Sequence, residues 1–383
     1  MIHPYELKAN DVHAYTIETL KAHVPIEAHG YICHTEMIWN VVIKASAENS
    51  SLEAVCADLE EVADSNTIRE YLNAALPIQE LRTQEEQVNE ALAACIPDDL
   101  VRNQVEVAVD FHDEPFYGKQ ETTRQVTCSG QAKKGTTHFV RIATAYIMWR
   151  QVRLTLAVRY VLPEEKTLEI LKFLLKRLQT LGFQAKVLYL DKGFASTDII
   201  RYLTTQQQPA IIACPIRGTQ GGTRALCRGR SSYSTQYTFT DGTQTRIAMK
   251  VSLVPDASGK LRRKWLAFIV VWLDWKPDKI YQEYRQRFGI ECSYRSLRRV
   301  RATTTSRNPA LRFFLLGVGL ILLNAWVFLR WTFSRLRQRG PRRVEMSRFR
   351  LHRFSKFLIR TIEKIYGTIS AVPTHLSPQS MIY

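Results

Sequence analysis

Residues 163–191 read PEEKTLEILKFLLKRLQTLGFQAKVLYLD, and this stretch sets the class of fold. Pro163, Glu164 and Glu165 open a helix, because proline suits the first helical turn and acids suit its positive end. Leu168, Leu171, Leu175 and Leu178 recur at helical spacing, which gives one apolar face through about Leu181. Gly182 ends the helix. Val187, Leu188, Tyr189 and Leu190 then form a short buried strand, followed at once by Asp191. A helix leading into a strand that is apolar on both faces implies an α/β layer with strands covered by helices.

Outward from this stretch the pattern repeats. Upstream, Val105, Val107 and Val109 alternate with Glu106 and Ala108 and end at Asp110, ahead of a polar turn at His112, Asp113, Glu114 and Pro115. Residues 138–149 and 152–161 are rich in Ile, Val, Thr and Tyr and read as two more strands. Downstream come a helix after Ser196 and a strand over 210–214. Three strands followed by helix, strand, helix and strand predict a mixed sheet with flanking helices. Residues 217–263 are polar and read as a β-rich insertion, with a hairpin signal at Asp241-Gly242. The core resumes from Trp265.

Residues 1–100 read as a helical N-terminal domain. Ser50 and Glu53 have capping-box spacing at the head of one helix, and a second follows Asp64. The pair suggests a helix-turn-helix or a dimerisation element. Charge divides the chain. Residues 1–100 hold 5 Lys and Arg against 18 Asp and Glu, while the remainder holds 48 against 18. The basic remainder suits a polyanion, and the acidic part cannot share that role by charge. Residues 331–383 read as a strongly basic tail.

Seven cysteines are scattered without a C-x-x-C pair, which argues against a zinc or disulfide framework. The first residues lack the charged start and apolar run of a signal peptide. Residues 313–329 form an apolar run interrupted only by Asn324. That length lies at the lower edge for a membrane span. A buried core helix is the expectation, with no membrane partner.

The chemistry is carried by residues 284–298, YRQRFGIECSYRSLR. On a continuous helix Tyr284, Arg287, Glu291 and Arg298 share one face, joined by Arg295. One carboxylate among cations suits a divalent metal beside phosphates. Such faces are also common as solvated surfaces with weak ion pairs. The two strand-end acids tip the balance. Asp110, Asp191 and Glu291 together suit two Mg²⁺ ions, for which Mn²⁺ substitutes, and such a site needs no protein nucleophile. Asp113 rivals Asp110 as first ligand, and Asp110 is favoured because it follows directly from the strand.

With these residues the chain resembles the DDE transposases of prokaryotic insertion sequences. Asp110 in VAVDFHDEPFYG, Asp191 in VLYLDKGFAS and Glu291 are similar to the family's three acids. Tyr284, Arg287 and Glu291 fit its Y-x2-R-x3-E-x6-K signature, with Arg298 where lysine is usual. The resemblance covers about residues 101–330 and implies a ribonuclease H-like catalytic domain interrupted by the β-rich insertion. It implies cleavage of transposon ends and strand transfer, in the prokaryotic cytoplasm, by a homodimer assembled on DNA. It also implies that Tyr284 contacts the terminal nucleotides and that Arg287 and Arg298 hold phosphates. A nuclease without strand transfer and a transposase-derived DNA-binding protein without catalysis are the alternatives.

Overall fold

The computed structural model describes residues 6–101, 103–119, 123–148, 152–256, 259–334, 344–345 and 347–371. The chain divides into two compact units, Met1–Ala91 with Leu297–Tyr383, and Leu92–Ser296.

The first unit is helical. It contains α1 (Ala9–His23), α2 (Thr35–Glu48), α3 (Leu52–Asp58), α4 (Ser65–Ala75) and most of α5 (Leu81–Ala94), with α10 (Pro309–Phe333) and α11 (Leu351–Tyr366) from the other end of the chain. The cap of α3 is Ser51, one residue later than the expected Ser50, and its Oγ accepts from the amide of Ala54. Asp64 caps α4 as expected. α10 contains the apolar run and is long and apolar enough to cross a membrane, yet it is mostly buried within this unit. Trp39 of α2 meets Phe314, and Tyr15 of α1 stacks on Phe328 at 4.9 Å. It is therefore the core of a bundle, not a continuation of the sheet domain expected over 101–330. Arg298 also belongs to this unit.

Nor are residues 331–383 simply a basic tail. α11 carries Phe354, Leu358, Ile359 and Ile362 on a buried face against α1 and α2. The buried ammonium of Lys44 joins Glu48, Asp58 and Glu363 at 2.5, 2.8 and 3.4 Å, which ties α2, α3 and α11 together. Of the basic residues between Arg335 and Arg343, none lies within the described residues.

The second unit is built on a nine-stranded mixed sheet in the order β2-β3-β1-β5-β6-β9-β8-β7, with β4 also on β3. The strands are β1 (Gln104–Pro115), β2 (Cys128–Lys133), β3 (Thr136–Met148), β4 (Thr155–Tyr160), β5 (Gln184–Leu190), β6 (Ala210–Cys214), β7 (Tyr233–Thr238), β8 (Gln244–Pro255) and β9 (Leu261–Val271). Helices α6 (Thr167–Thr180), α7 (Thr197–Thr205), α8 (Pro277–Arg285) and α9 (Phe288–Leu297) accompany it. β1 is parallel to β5 and β5 to β6, while β3 is antiparallel to β1. α6 buries Ile170, Leu171, Leu174 and Leu178, and it stops where Gly182 takes φ +77°. It begins at Thr167 rather than Pro163, because Glu165 is engaged by Arg159 at 2.6 Å.

Four features depart from the sequence reading. β1 does not end at Asp110. It continues to Pro115 because β3 still supplies a ladder, from Asp110↔Thr144 to Pro115↔Phe139, after β5 has stopped. β2 was hidden by its polar composition and lies at an edge, where exposed residues are tolerated. The β-rich insertion is continuous with the main sheet, a placement its composition did not specify: β9 pairs β6 antiparallel, and β8 and β7 extend the same sheet beyond it. Residues 284–298 are two helices, not one. Arg287 lies in the break, where the amides of Gln286, Arg287, Gly289 and Ile290 bond three residues back.

Candidate active site

The last parallel rung between β1 and β5 is Val109↔Leu190. The next residue of each chain segment is an aspartate, so Asp110 and Asp191 stand side by side at the carboxyl end of the sheet, where ligands of open α/β sheets collect. α9 brings Glu291 to the same place. Arg287 joins the three. Its Nη1 lies 2.8 Å from Asp110 Oδ2, and its Nη2 lies 3.5 Å from both Asp191 Oδ1 and Glu291 Oε1. One guanidinium thus faces three carboxylates drawn from separate parts of the chain.

The acids differ in environment. Asp110 is 14% exposed and Glu291 48%. Burial pushes the Asp110 carboxyl up to about 6, with Arg287 opposing and the charge of Asp191 adding to the rise. The amide of Phe111 donates to its Oδ1 at 2.9 Å. Asp113, the rival first acid, is committed elsewhere. Arg141 donates to it at 2.6 and 3.3 Å, and Lys133 lies 3.4 Å away. Burial alone would raise Asp113, but these cations hold it below its ordinary value. Asp110, not Asp113, therefore faces the other two acids.

Two residues expected at the DNA stand apart from the acids. Tyr284 is 9% exposed, and its hydroxyl donates to the carbonyl of Leu190 at 3.1 Å. In this conformation it secures the end of β5. Arg298 follows α9 in an exposed turn and belongs to the helical unit, while Arg295 is exposed on α9. Neither bonds to the three acids in the manner of Arg287.

The sequence reading missed the support behind the acids. The Tyr294 hydroxyl lies 2.6 Å from Thr144 Oγ1 and 3.5 Å from the carbonyl oxygen of Asp110. The Tyr294 ring stacks on His112 at 4.5 Å, and His112 Nε2 lies 2.6 Å from Glu114 Oε1. His112 is on a strand, not in a turn. Ile290, Tyr294 and Leu297 share an apolar stripe on α9, and that spacing was the available signal. On the other face of β1, Phe111 stacks on Phe194 at 4.6 Å, beside Gly193, where a side chain would meet the Phe111 ring.

The donor set of Asp110, Asp191 and Glu291 is all oxygen and suits a hard divalent cation. Its positive partner in this conformation is Arg287. Among the described residues, the trio of potential metal ligands within 4.8 Å of one another is Glu48, Asp58 and Glu363, whose centre is held by Lys44. The three acids around Arg287 stand wider apart than that. Their oxygen donors fit a divalent metal in chemistry, and Arg287 is the cation they face here.

No family model and no curated protein matches the chain. Its fold is similar to that of the piggyBac transposase, in a cryo-electron microscopy structure of the synaptic complex with hairpin DNA. The TM-score is 0.56 at 10% sequence identity, over 94% of this chain and 78% of that chain. The likeness is one of fold: an α/β protein with a mixed sheet and flanking helices.

Proposed function

We propose that the protein is a DDE transposase of the prokaryotic insertion-sequence type, which cleaves transposon ends and joins the freed strands to target DNA. The observation that carries this reading is the convergence of Asp110, Asp191 and Glu291 on the guanidinium of Arg287. The strand order β4-β3-β1-β5-β6, antiparallel for its first three members and parallel for its last three, supports a ribonuclease H-like core. The fold likeness to a transposase supports the same class.

Asp110, Asp191 and Glu291 would hold Mg²⁺ or Mn²⁺, which lowers the pKa of the attacking hydroxyl and offsets charge on the departing oxygen. In the first reaction a water oxygen forms a bond to phosphorus and the bond to the 3′-oxygen breaks, freeing a 3′-hydroxyl. In the second, that hydroxyl attacks a target phosphodiester, so one ester bond replaces another. The chain's own contribution is placement. Tyr294 and Thr144 hold the backbone at Asp110, Tyr284 holds the end of β5, and Arg287 would meet the reacting phosphate.

DNA is the partner that fits the surrounding surface. β9 runs antiparallel to β6, with Cys214 opposite Ala267, and its pairing with β8 continues past that point to Pro255↔Leu261. The β8–β9 ribbon therefore rises from the end of the sheet that carries the acids. Lys260, Arg262, Arg263 and Lys264 are exposed on it, with Leu253 and Leu261 more than 60% exposed. A two-stranded ribbon of this width enters a DNA groove. A homodimer assembled on paired ends in the prokaryotic cytoplasm completes the proposal.

The test is cleavage of labelled DNA bearing the ends of the native element, with Mg²⁺ or Mn²⁺, by wild type and Glu291→Gln. Wild type should cut and join, and the variant should bind without cutting. Tight binding without cutting by the wild type would sink the catalytic reading. Cutting without joined products would reduce it to a nuclease.

A further inference from the structure

We infer that Arg287 is a built-in counter-cation, which keeps divalent metal out of the acid triad until a DNA phosphate draws its guanidinium away. The inference rests on the proposed function and adds a rule of assembly to it: metal and DNA bind with positive coupling, mediated by one side chain.

Three observations carry it. First, the guanidinium contacts all three acids at 2.8, 3.5 and 3.5 Å, so it already supplies the positive charge that the carboxylates require. A divalent ion entering the same space meets like charge at contact distance and finds its ligands engaged. Second, Arg287 is held at its backbone in the break between α8 and α9, where its amide donates to the carbonyl of Tyr284 and its own carbonyl accepts from Ile290, so a move of the guanidinium need not move either helix. Its neighbours on either side are anchored: Tyr284 bonds to Leu190, and Tyr294 bonds at Thr144. Third, a guanidinium that leaves three carboxylates needs another anion, and the two non-bridging oxygens of a phosphodiester accept from its planar fork bidentately. The phosphate that the metal must meet is then the group that clears the metal's place. The linkage is reciprocal, so metal tightens DNA binding by the same factor.

The experiment is Mn²⁺ titration followed by electron paramagnetic resonance at pH 8, where Asp110 is ionised. Wild type, Arg287→Gln, Arg287→Lys and Asp110→Asn are compared, with and without a short linear duplex, after subtraction of Mn²⁺ bound by the duplex alone. Each variant is first checked for a cooperative thermal transition. Without DNA, Arg287→Gln should bind Mn²⁺ about tenfold tighter than wild type, a typical size for one coupled contact. Arg287→Lys, which keeps the charge, should stay close to wild type. The duplex should tighten Mn²⁺ binding to wild type by a similar factor and do far less for Arg287→Gln. Equal affinity of wild type and Arg287→Gln in the absence of DNA would overturn the inference, as would equal tightening of both by the duplex. If Arg287→Gln does not fold, the wild type decides: Mn²⁺ binding that the duplex leaves unchanged overturns it. Asp110→Asn separates the two levels. Mn²⁺ binding that survives this substitution lies outside the triad and removes the proposed function itself.

Discussion

The Tyr294 hydroxyl lies 2.6 Å from Thr144 Oγ1, and Thr144 is the residue opposite Asp110 in the β1–β3 ladder. This bond pins α9, the carrier of Glu291, to the strand flanking Asp110. Tyr294→Phe keeps the stack on His112 and removes the pin. A buried hydrogen bond of this kind is worth about 1 kcal/mol, with a further cost for the hydroxyl left unpaired. Denaturant melts should show a loss of about 1–2 kcal/mol. Cleavage should fall at least tenfold, because small misplacements at a reacting centre are costly, on the order of 10²-fold per ångström. DNA affinity should hold. Unchanged cleavage would mean that the hydroxyl does not place the acids.

Asp110 gives the site a distinct pH signature. Its folded pKa, about 6, stands above the ordinary carboxylate value. The folded state therefore binds the proton more tightly than the unfolded chain, and stability falls as pH rises from about 4 through 6. Asp110→Asn should raise the thermal midpoint at pH 7.5 in the presence of chelator, by a gain on the order of 2 kcal/mol, and the gain should vanish at pH 4. A gain that persists undiminished at pH 4 would rule out ionisation as its source.

Asp113 should behave in the opposite way. Arg141 and Lys133 hold its folded pKa below the ordinary value, so its contribution is present above the unfolded pKa and lost as pH falls through the folded one. Asp113→Asn should destabilise the protein at pH 7 by about 1–3 kcal/mol, because Arg141 loses its charged partner. Cleavage by the folded variant should persist. Loss of Mn²⁺ binding in Asp113→Asn, with Asp110→Asn unaffected, would exchange the two residues' roles.

The β8–β9 ribbon supplies a prediction independent of the acids. Replacing Arg262, Arg263 and Lys264 together by glutamine should weaken DNA binding with little effect on folding, since all three are exposed. For every phosphate that the variant no longer neutralises, the slope of log affinity against log salt should flatten by about 0.9. An unchanged slope would place the DNA elsewhere.

Local physics made much of this protein legible before its structure. Leu171 and Leu178 of α6, the valines of β1, the apolar run before Asp191 and the Asp241-Gly242 turn follow from side-chain periodicity and backbone preference, which act over a few residues. So does the spacing that sets Arg287 four residues before Glu291. Leu168 and Leu175, expected on the same face of α6, are half-buried, and Ile170 and Leu174 take the core instead. The tertiary structure decided what depends on pairing across the chain. The register Val109↔Leu190 put Asp110 beside Asp191, and the longer reach of β3 carried β1 on to Pro115. Pairing of β8 with β9 drew the insertion into the main sheet. Burial against β5 made Tyr284 an anchor for the end of that strand. The break after α8 left Arg287 at the centre of the acids, where a continuous helix would have kept it on a stripe. Helices from both ends of the chain formed one bundle around α10, because an apolar helix of that length needs more covering surface than its sequence neighbours provide.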